Sequence, residues 1–168
     1  MQAARNVTEH ATAARAIEAL ARLRFNDAIP LLRELLSQEP QVVQLMEVVE
    51  ALGALGDAES ARPIRALLAR SLRGDMLIGN STARALGQLR DRRAVPLLVK
   101  ALRHRVGRLT RDAAEALVKI AGAAAAPSLI AALKLPARHI NHDQRVSDLL
   151  WRLGDLPVAS GKSRSSHV

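Results

Sequence analysis

Basic side chains are concentrated in the middle of this 168-residue chain. The segment from Arg62 to Arg111 holds 13 lysine and arginine residues and two acidic ones, a net charge of +11, whereas the whole chain carries +9. Guanidinium and ammonium groups make charge-assisted hydrogen bonds to carboxylates and phosphates. This block therefore predicts contact with an anionic surface. The alternative is that it is only the solvated face of an arginine-rich protein.

Other residue types that carry chemistry are sparse. The chain has no cysteine, which excludes disulfides and thiolate metal sites. No serine has a histidine and an acid that the repeat register would bring to it, and no Gly-x-Ser-x-Gly elbow is present. We therefore expect no catalytic residues, no enzyme activity and no cofactor.

Two short motifs near the C-terminal end resemble ligand sites. His139 and His142 lie three residues apart beside Asp143, a set that could hold a metal with help from elsewhere. Asp143 equally suits the N-cap of a following helix. A Gly-Lys-Ser tripeptide at 161–163 resembles the end of a phosphate-binding loop, but Gly154 lies too far upstream for that motif. We expect neither motif to be a site.

The composition favours an all-α protein without a membrane span. Alanine and leucine, the strongest helix formers, dominate the apolar residues, and Phe25 and Trp151 are the only aromatic ones. The longest uncharged run, 120–133, is too short to span a bilayer. The first ten residues lack the apolar run of a signal peptide. We therefore expect a cytoplasmic protein with no membrane partner.

The elements that position the basic block belong to a repeat. An Ala-Leu pair begins at 19, 51, 85 and 116, and a proline follows each pair at Pro30, Pro63, Pro96 and Pro127. Proline suits the first turn of a helix, where its missing N–H is not needed. An apolar stripe of helical spacing follows each proline, and the last stripe is Ile130 and Leu133. Two short helices per 31–34 residues predict a solenoid of stacked units.

The predicted fold is an all-α, right-handed solenoid of about four helix pairs plus a C-terminal half repeat. Residues 1–155 form the repeat domain, and 156–168 form a disordered polar tail. The first helices are predicted over 8–24, 41–55, 76–89, 111–121 and 143–153. The second helices are predicted over 28–38, 61–73, 94–104 and 126–134. The predicted N-caps are Asp75, Thr110 and Asp143.

The half repeat bears on the oligomeric state. Trp151 lies beside the apolar stripe of the helix predicted over 143–153, and no second helix follows it in the sequence. One interpretation is a terminal cap in which Trp151 packs back on the fourth repeat. The other is an open edge that pairs with a partner or a second copy, because tryptophan is a common interface anchor. The prediction is a monomer or an edge-paired dimer.

Residues 51–57, Ala-Leu-Gly-Ala-Leu-Gly-Asp, and 94–98, Ala-Val-Pro-Leu-Leu, resemble the two halves of the HEAT-like repeat of phycobilisome bilin lyases. The resemblance covers about residues 12–155. It implies that the second helices line a concave groove. It also suggests a lyase-like, chromophore-handling role, which no residue of this chain specifically supports.

This resemblance places the basic block in the groove. The central cations are Arg62, Arg73, Lys100 and Arg103, and the flanking ones are Arg65, Arg70, Arg105 and Arg108. The leading functional hypothesis is a non-enzymatic protein–protein interaction or scaffold module that binds an acidic partner. The alternative is binding to a nucleic-acid backbone, although the block lacks the aromatic side chains on which single strands usually stack.

Overall fold

The computed structural model describes residues 2–38, 42–74, 78–104 and 107–133, which form eight α-helices and no β-strand. The first helices of the pairs are α1 (Gln2–Arg22), α3 (Val42–Leu55), α5 (Gly79–Gln88) and α7 (Gly107–Ala121). The second helices are α2 (Ile29–Ser37), α4 (Ala61–Leu72), α6 (Val95–Ala101) and α8 (Ala126–Leu133). The predicted all-α solenoid of four helix pairs is confirmed. Its handedness stays a prediction, and the half repeat and tail lie outside the described residues.

Each of the first three helix pairs turns through the same backbone motif. The N–H of Asp57 donates to the carbonyl of Leu52, and the N–H of Gly56 donates to that of Gly53. This Schellman arrangement needs a left-handed residue just after the helix, and Gly56 has φ +77°. The first and third pairs repeat both hydrogen bonds, but Arg24 and Arg90, each at φ +51°, take the place of the glycine.

The core is a column of aliphatic side chains in which each repeat contributes the same position. The second helices contribute Leu32, Ile64, Leu98 and Leu129, which are all 0% exposed. Their spacing of 32, 34 and 31 residues equals that of the Ala-Leu pairs. In this register Arg62, not Pro63, occupies the place that proline takes in the other second helices. α4 therefore carries its proline one residue later than α2, α6 and α8 do.

The first helices approach one another closely through small residues. A Cβ atom added at Gly87 of α5 would lie 2.8 Å from the Cα of Ala116 in α7. The same holds one repeat earlier, where a Cβ at Gly53 would lie 2.7 Å from the Cα of Ala85. Both distances are too short for a real side chain, so glycine sets the spacing between these helices. The glycines of the two Ala-Leu-Gly segments are therefore needed for helix packing.

Two predictions about the later repeats are wrong. Thr110 does not cap α7, because the helix begins at Gly107 and the buried Thr110 hydroxyl donates to the carbonyl of His104 over 3.2 Å. Ile130 does not face the core either, because Leu129 fills that position and Ile130 is 45% exposed. The other predicted caps, Asp75 and Asp143, lie outside the described residues. Predicted helix ends otherwise agree with the structure to within a few residues, except that α1 begins six residues earlier.

Candidate anion-binding surface

Four cations lie on the exposed side of neighbouring second helices. Arg62 and Arg73 are at the two ends of α4, and Lys100 and Arg103 are on α6 and in the turn that follows it; all four are exposed. We call these four residues the second-helix surface. α4 and α6 are in contact, and neither contains an acidic residue.

Two alanines of α4 lie between these four charges when the repeats are aligned. Because Ile64 and Leu98 are equivalent, Ala66 lies level with Lys100, and Ala69 lies level with Arg103. Arg62 and Arg73 are eleven residues apart, or about 16 Å at 1.5 Å per residue. The cations therefore stand apart from one another, with small side chains between them. Such spacing leaves room for an acidic chain to lie across both helices.

Arg65, one of the predicted flanking cations, has a different environment. Its guanidinium forms an ion pair with Asp91 in the turn of the next repeat, and its side chain is only 19% exposed. The charge of Arg65 is thus balanced within the chain.

The preceding repeat makes the equivalent contact with more hydrogen bonds. Arg33 donates through its Nε to Asp57 over 2.8 Å and through a second nitrogen to the other oxygen of that carboxylate, while also pairing with Glu59. The Ser60 hydroxyl donates to Asp57 as well. The guanidinium of Arg33 holds the pKa of the buried Asp57 below its ordinary value, against the effect of burial, and Ser60 adds to the lowering.

These ion pairs stop at the third junction. The position that holds Arg33 and Arg65 is Val99 in α6, and the turn that would hold the acid, Gly122–Ala125, contains no carboxylate. Both partners are therefore absent together, which avoids a half-buried charge without a counterion. The sequence contained a signal for this pairing, because an arginine follows the core residue and an aspartate follows the turn in both of the preceding units.

The remaining flanking cations lie near the loops that join one repeat to the next. Arg70 is half-buried near the end of α4, and Arg108 is exposed in the first turn of α7, a first helix. Arg105 lies outside the described residues. The structure therefore brings Arg62, Arg73, Lys100 and Arg103 to one pair of helices, and it places Arg108 on a different layer.

The first helices carry five of the ten acidic residues whose side chains the structure describes, whereas the second helices carry one, Glu34. Glu50 accepts a hydrogen bond from the Ser81 hydroxyl over 2.7 Å and forms an ion pair with Arg84. Glu47 lies one helical turn away, and burial, together with the charges of Glu50 and Glu18, raises its pKa despite the opposing effect of Arg84. The two layers of the solenoid thus differ in charge.

Asp112 in α7 is the most buried acid on this side. Its residue is 2% exposed, and burial raises its pKa, although Arg111 and Arg84 act in the opposite direction. Arg111 approaches one carboxylate oxygen at 3.5 Å, while the other oxygen is buried without a hydrogen-bond partner among the described residues. This carboxylate is less well satisfied than Asp57.

The described ranges contain neither a metal site nor a membrane span. No group of three or more histidine or acidic side chains there could hold a metal ion. No helix in those same ranges combines the length and the apolar character needed to cross a membrane. The histidine pair at 139 and 142 and the Gly-Lys-Ser tripeptide lie outside them.

The repeat pattern also matches a known family. A family model for HEAT repeats matches residues 1–76 and 80–142, which is most of the chain. No curated protein matches the sequence. The finer resemblance to phycobilisome-lyase repeats stays a prediction. HEAT repeats are in general modules of protein-interaction scaffolds, and the chain belongs to the HEAT repeat family.

Proposed function

We propose that this chain is a non-enzymatic interaction module that binds an acidic segment of a protein partner in the cytoplasm. The observation that carries the proposal is the second-helix surface, where Arg62, Arg73, Lys100 and Arg103 are exposed on two contacting helices that contain no acid. Lys100 and Arg103 are three residues apart, which places them within the Debye length of about 8 Å at physiological salt, so their charges repel one another. A carboxylate-rich partner would offset that repulsion. Membership of the HEAT repeat family supports a scaffold role in general.

The charge pattern favours an extended acidic peptide over a nucleic acid. Non-specific binding to single strands usually combines cations with aromatic platforms. α4 and α6 contain no aromatic residue. Small side chains, Ala66 and Ala69, lie between the cations, so a peptide can approach the helix surface closely. The chromophore-handling role stays a prediction that rests on the repeat resemblance alone. The residues that carry this resemblance are packing and turn residues.

The test is the double charge reversal Arg73→Glu with Arg103→Glu. Poly-L-glutamate serves as the protein-like probe, and a short DNA duplex serves as the competing one, both titrated at low and physiological salt. We expect the double variant to weaken poly-L-glutamate binding by at least about tenfold, because close charge pairs across an interface contribute strongly.

The matched control is Arg15→Glu with Arg22→Glu, two exposed cations on the first helix α1. It changes the net charge by the same amount, so equal weakening in both variants would show that only overall charge matters and would reject the surface. Tighter binding of the wild-type chain to the duplex than to poly-L-glutamate would favour the nucleic-acid alternative instead.

A further inference from the structure

A second group of cations, none of which belongs to the second-helix surface, lies at the turns that follow the first helices and on α7. A cleft of about 520 Å³ opens there and is lined in part by Gly53, Ala54 and Gly56. Arg24, Arg90 and Lys119 are among the residues that line it. Ligand sites for small molecules commonly have volumes of about 300–1,000 Å³. The cleft is therefore large enough for a small ligand.

The cleft exists because the second repeat has small side chains where its neighbours have long ones. In the repeat register, Ala54 corresponds to Gln88 and Lys119, and Gly56 corresponds to Arg24 and Arg90. The second repeat is thus a gap in a row of long polar side chains. Gln88 and Lys119 lie over the glycines of the preceding repeat, since a Cβ at Gly53 would meet the Gln88 Oε1 at 2.6 Å.

Backbone conformation sets two of the lining residues apart. Arg24 and Arg90 are the only non-glycine residues with positive φ in the described chain, and both have φ +51°. Glycine adopts this conformation without strain, as Gly56 does at the same position of the second repeat. Arginine therefore stands twice where glycine would be more relaxed, and both arginines line the same cleft. Strained residues of this kind cluster at functional sites.

The negative contribution of the cleft lining is limited to the partial charge at the C-terminal ends of α3 and α5. No acidic residue is among the residues that line it. Of the acids that lie close to the cleft along the chain, Asp57 and Asp91 are engaged by Arg33 and Arg65, whereas Asp27 and Glu115 lie three and four residues from Arg24 and Lys119, outside the lining. A cation near a helix C-terminus does stabilise the helix dipole. A residue in the last helical turn can serve that role without left-handed backbone, so the dipole alone does not explain Arg24 and Arg90.

The ligand that fits these features is a multiply charged anion of some length. Arg24 and Arg90 belong to the first and third repeats, so their backbones are separated by two helix spacings of about 8–10 Å each. A chain of phosphoryl groups suits such a cleft better than one compact phosphate. Each phosphate ester carries up to about two negative charges, and arginine binds its oxygens in a forked geometry. We infer that this cleft binds an oligophosphate group, free or as part of an ester.

The inference is tested on the full chain by calorimetric titration with inorganic triphosphate, with ATP, and with citrate as a carboxylate of similar charge. The decisive variant is Arg24→Gly with Arg90→Gly. It removes two cations and relaxes the backbone at both positions. We expect at least about a tenfold loss of triphosphate affinity, together with a rise in the midpoint of thermal unfolding. A structural role for the arginines would instead lower that midpoint.

The matched control is Arg92→Ala with Arg93→Ala, which removes two exposed cations from the same turn outside the cleft lining. We expect it to keep triphosphate affinity within about twofold. Equal loss in both double variants, or citrate binding as tight as triphosphate, would overturn the inference. Tight binding of ATP as well would identify an esterified ligand, and binding of triphosphate alone a free one. The Arg73→Glu with Arg103→Glu variant keeps triphosphate binding, which separates this site from the second-helix surface.

Discussion

Carboxylates in two regions of the solenoid have opposite environments. At the turns, Asp57 accepts hydrogen bonds from Arg33 and Ser60, and its pKa is lowered. On the first-helix side, Asp112 and Glu47 are desolvated with fewer donors, and their pKa values are raised. Burial disfavours the charged form in all of them, so the difference lies in how many donors compensate for it. Asp57 therefore ties two repeats together, whereas Asp112 and Glu47 weaken the fold at neutral pH.

The largest effect is expected at the turns, from Asp57→Asn. The variant loses the charge that pairs with Arg33 across the junction between the first two repeats. Hydrogen bonds to charged groups contribute about 1.5–3 kcal/mol each in net terms, and partial exposure of Arg33 argues for the lower end. We expect the free energy of unfolding at pH 7 to fall by about 1–2 kcal/mol, measured by urea denaturation.

The pH dependence of stability tests whether the Asp57 charge stabilises the folded state. A lowered folded pKa means that the stabilisation is present above the unfolded value of about 3.9 and is lost as the pH falls through the folded value. The gap between wild type and Asp57→Asn should therefore close in acid. Asp27→Asn, an exposed acid in the corresponding turn of the first repeat, is the control and should change stability little. A gap that stayed constant down to low pH would show that the Asp57 charge does not act through Arg33.

The opposite sign is expected for Asp112→Asn, with a smaller magnitude. Its carboxylate is buried with one oxygen unpartnered in the described structure, so the charged form is disfavoured there. Removal of the charge should raise the free energy of unfolding at pH 7, because the folded state then no longer holds a desolvated carboxylate. A raised folded pKa means that the stabilising effect of protonation is present below about 3.9 and is lost as the pH rises through the folded value. Denaturation across pH 3–7 checks this, and a loss of stability at pH 7 would show that the contact with Arg111 outweighs burial.

Features confined to one repeat can be predicted from sequence more readily than contacts between repeats. The core positions of the third repeat were predictable, because Leu98, Ala101 and Leu102 follow a helical stripe within one segment, and all are buried. Contacts between repeats were not, because they join residues about 26 positions apart, as Arg65 and Asp91 are. A helical wheel of α4 places Arg65 near the exposed side. It shows one helix only, so it cannot show that Asp91 in the turn of the next repeat lies beside Arg65. The one-residue shift of Pro63 is visible in the sequence, since Pro63 follows its Ala-Leu pair by 12 residues and the other prolines follow theirs by 11, and the burial of Ile64 agrees with it.

The smallest effect, Glu47→Gln, tests whether crowding among the first-helix acids matters beyond burial. Glu47 and Glu50 lie three residues apart on α3, and Glu18 of α1 adds a third negative charge. Like charges one turn apart on a helix cost about 0.2–0.5 kcal/mol, so the variant should be more stable than wild type by about that amount at pH 7 and low salt. Added salt should reduce the gain, because it screens partly exposed charges. Acid should remove it, since protonation of Glu47 has the same effect as the substitution. If the gain in stability persisted at high salt, the raised pKa of Glu47 would be due to burial alone, and Glu47 would then destabilise the fold in the same way as Asp112 does.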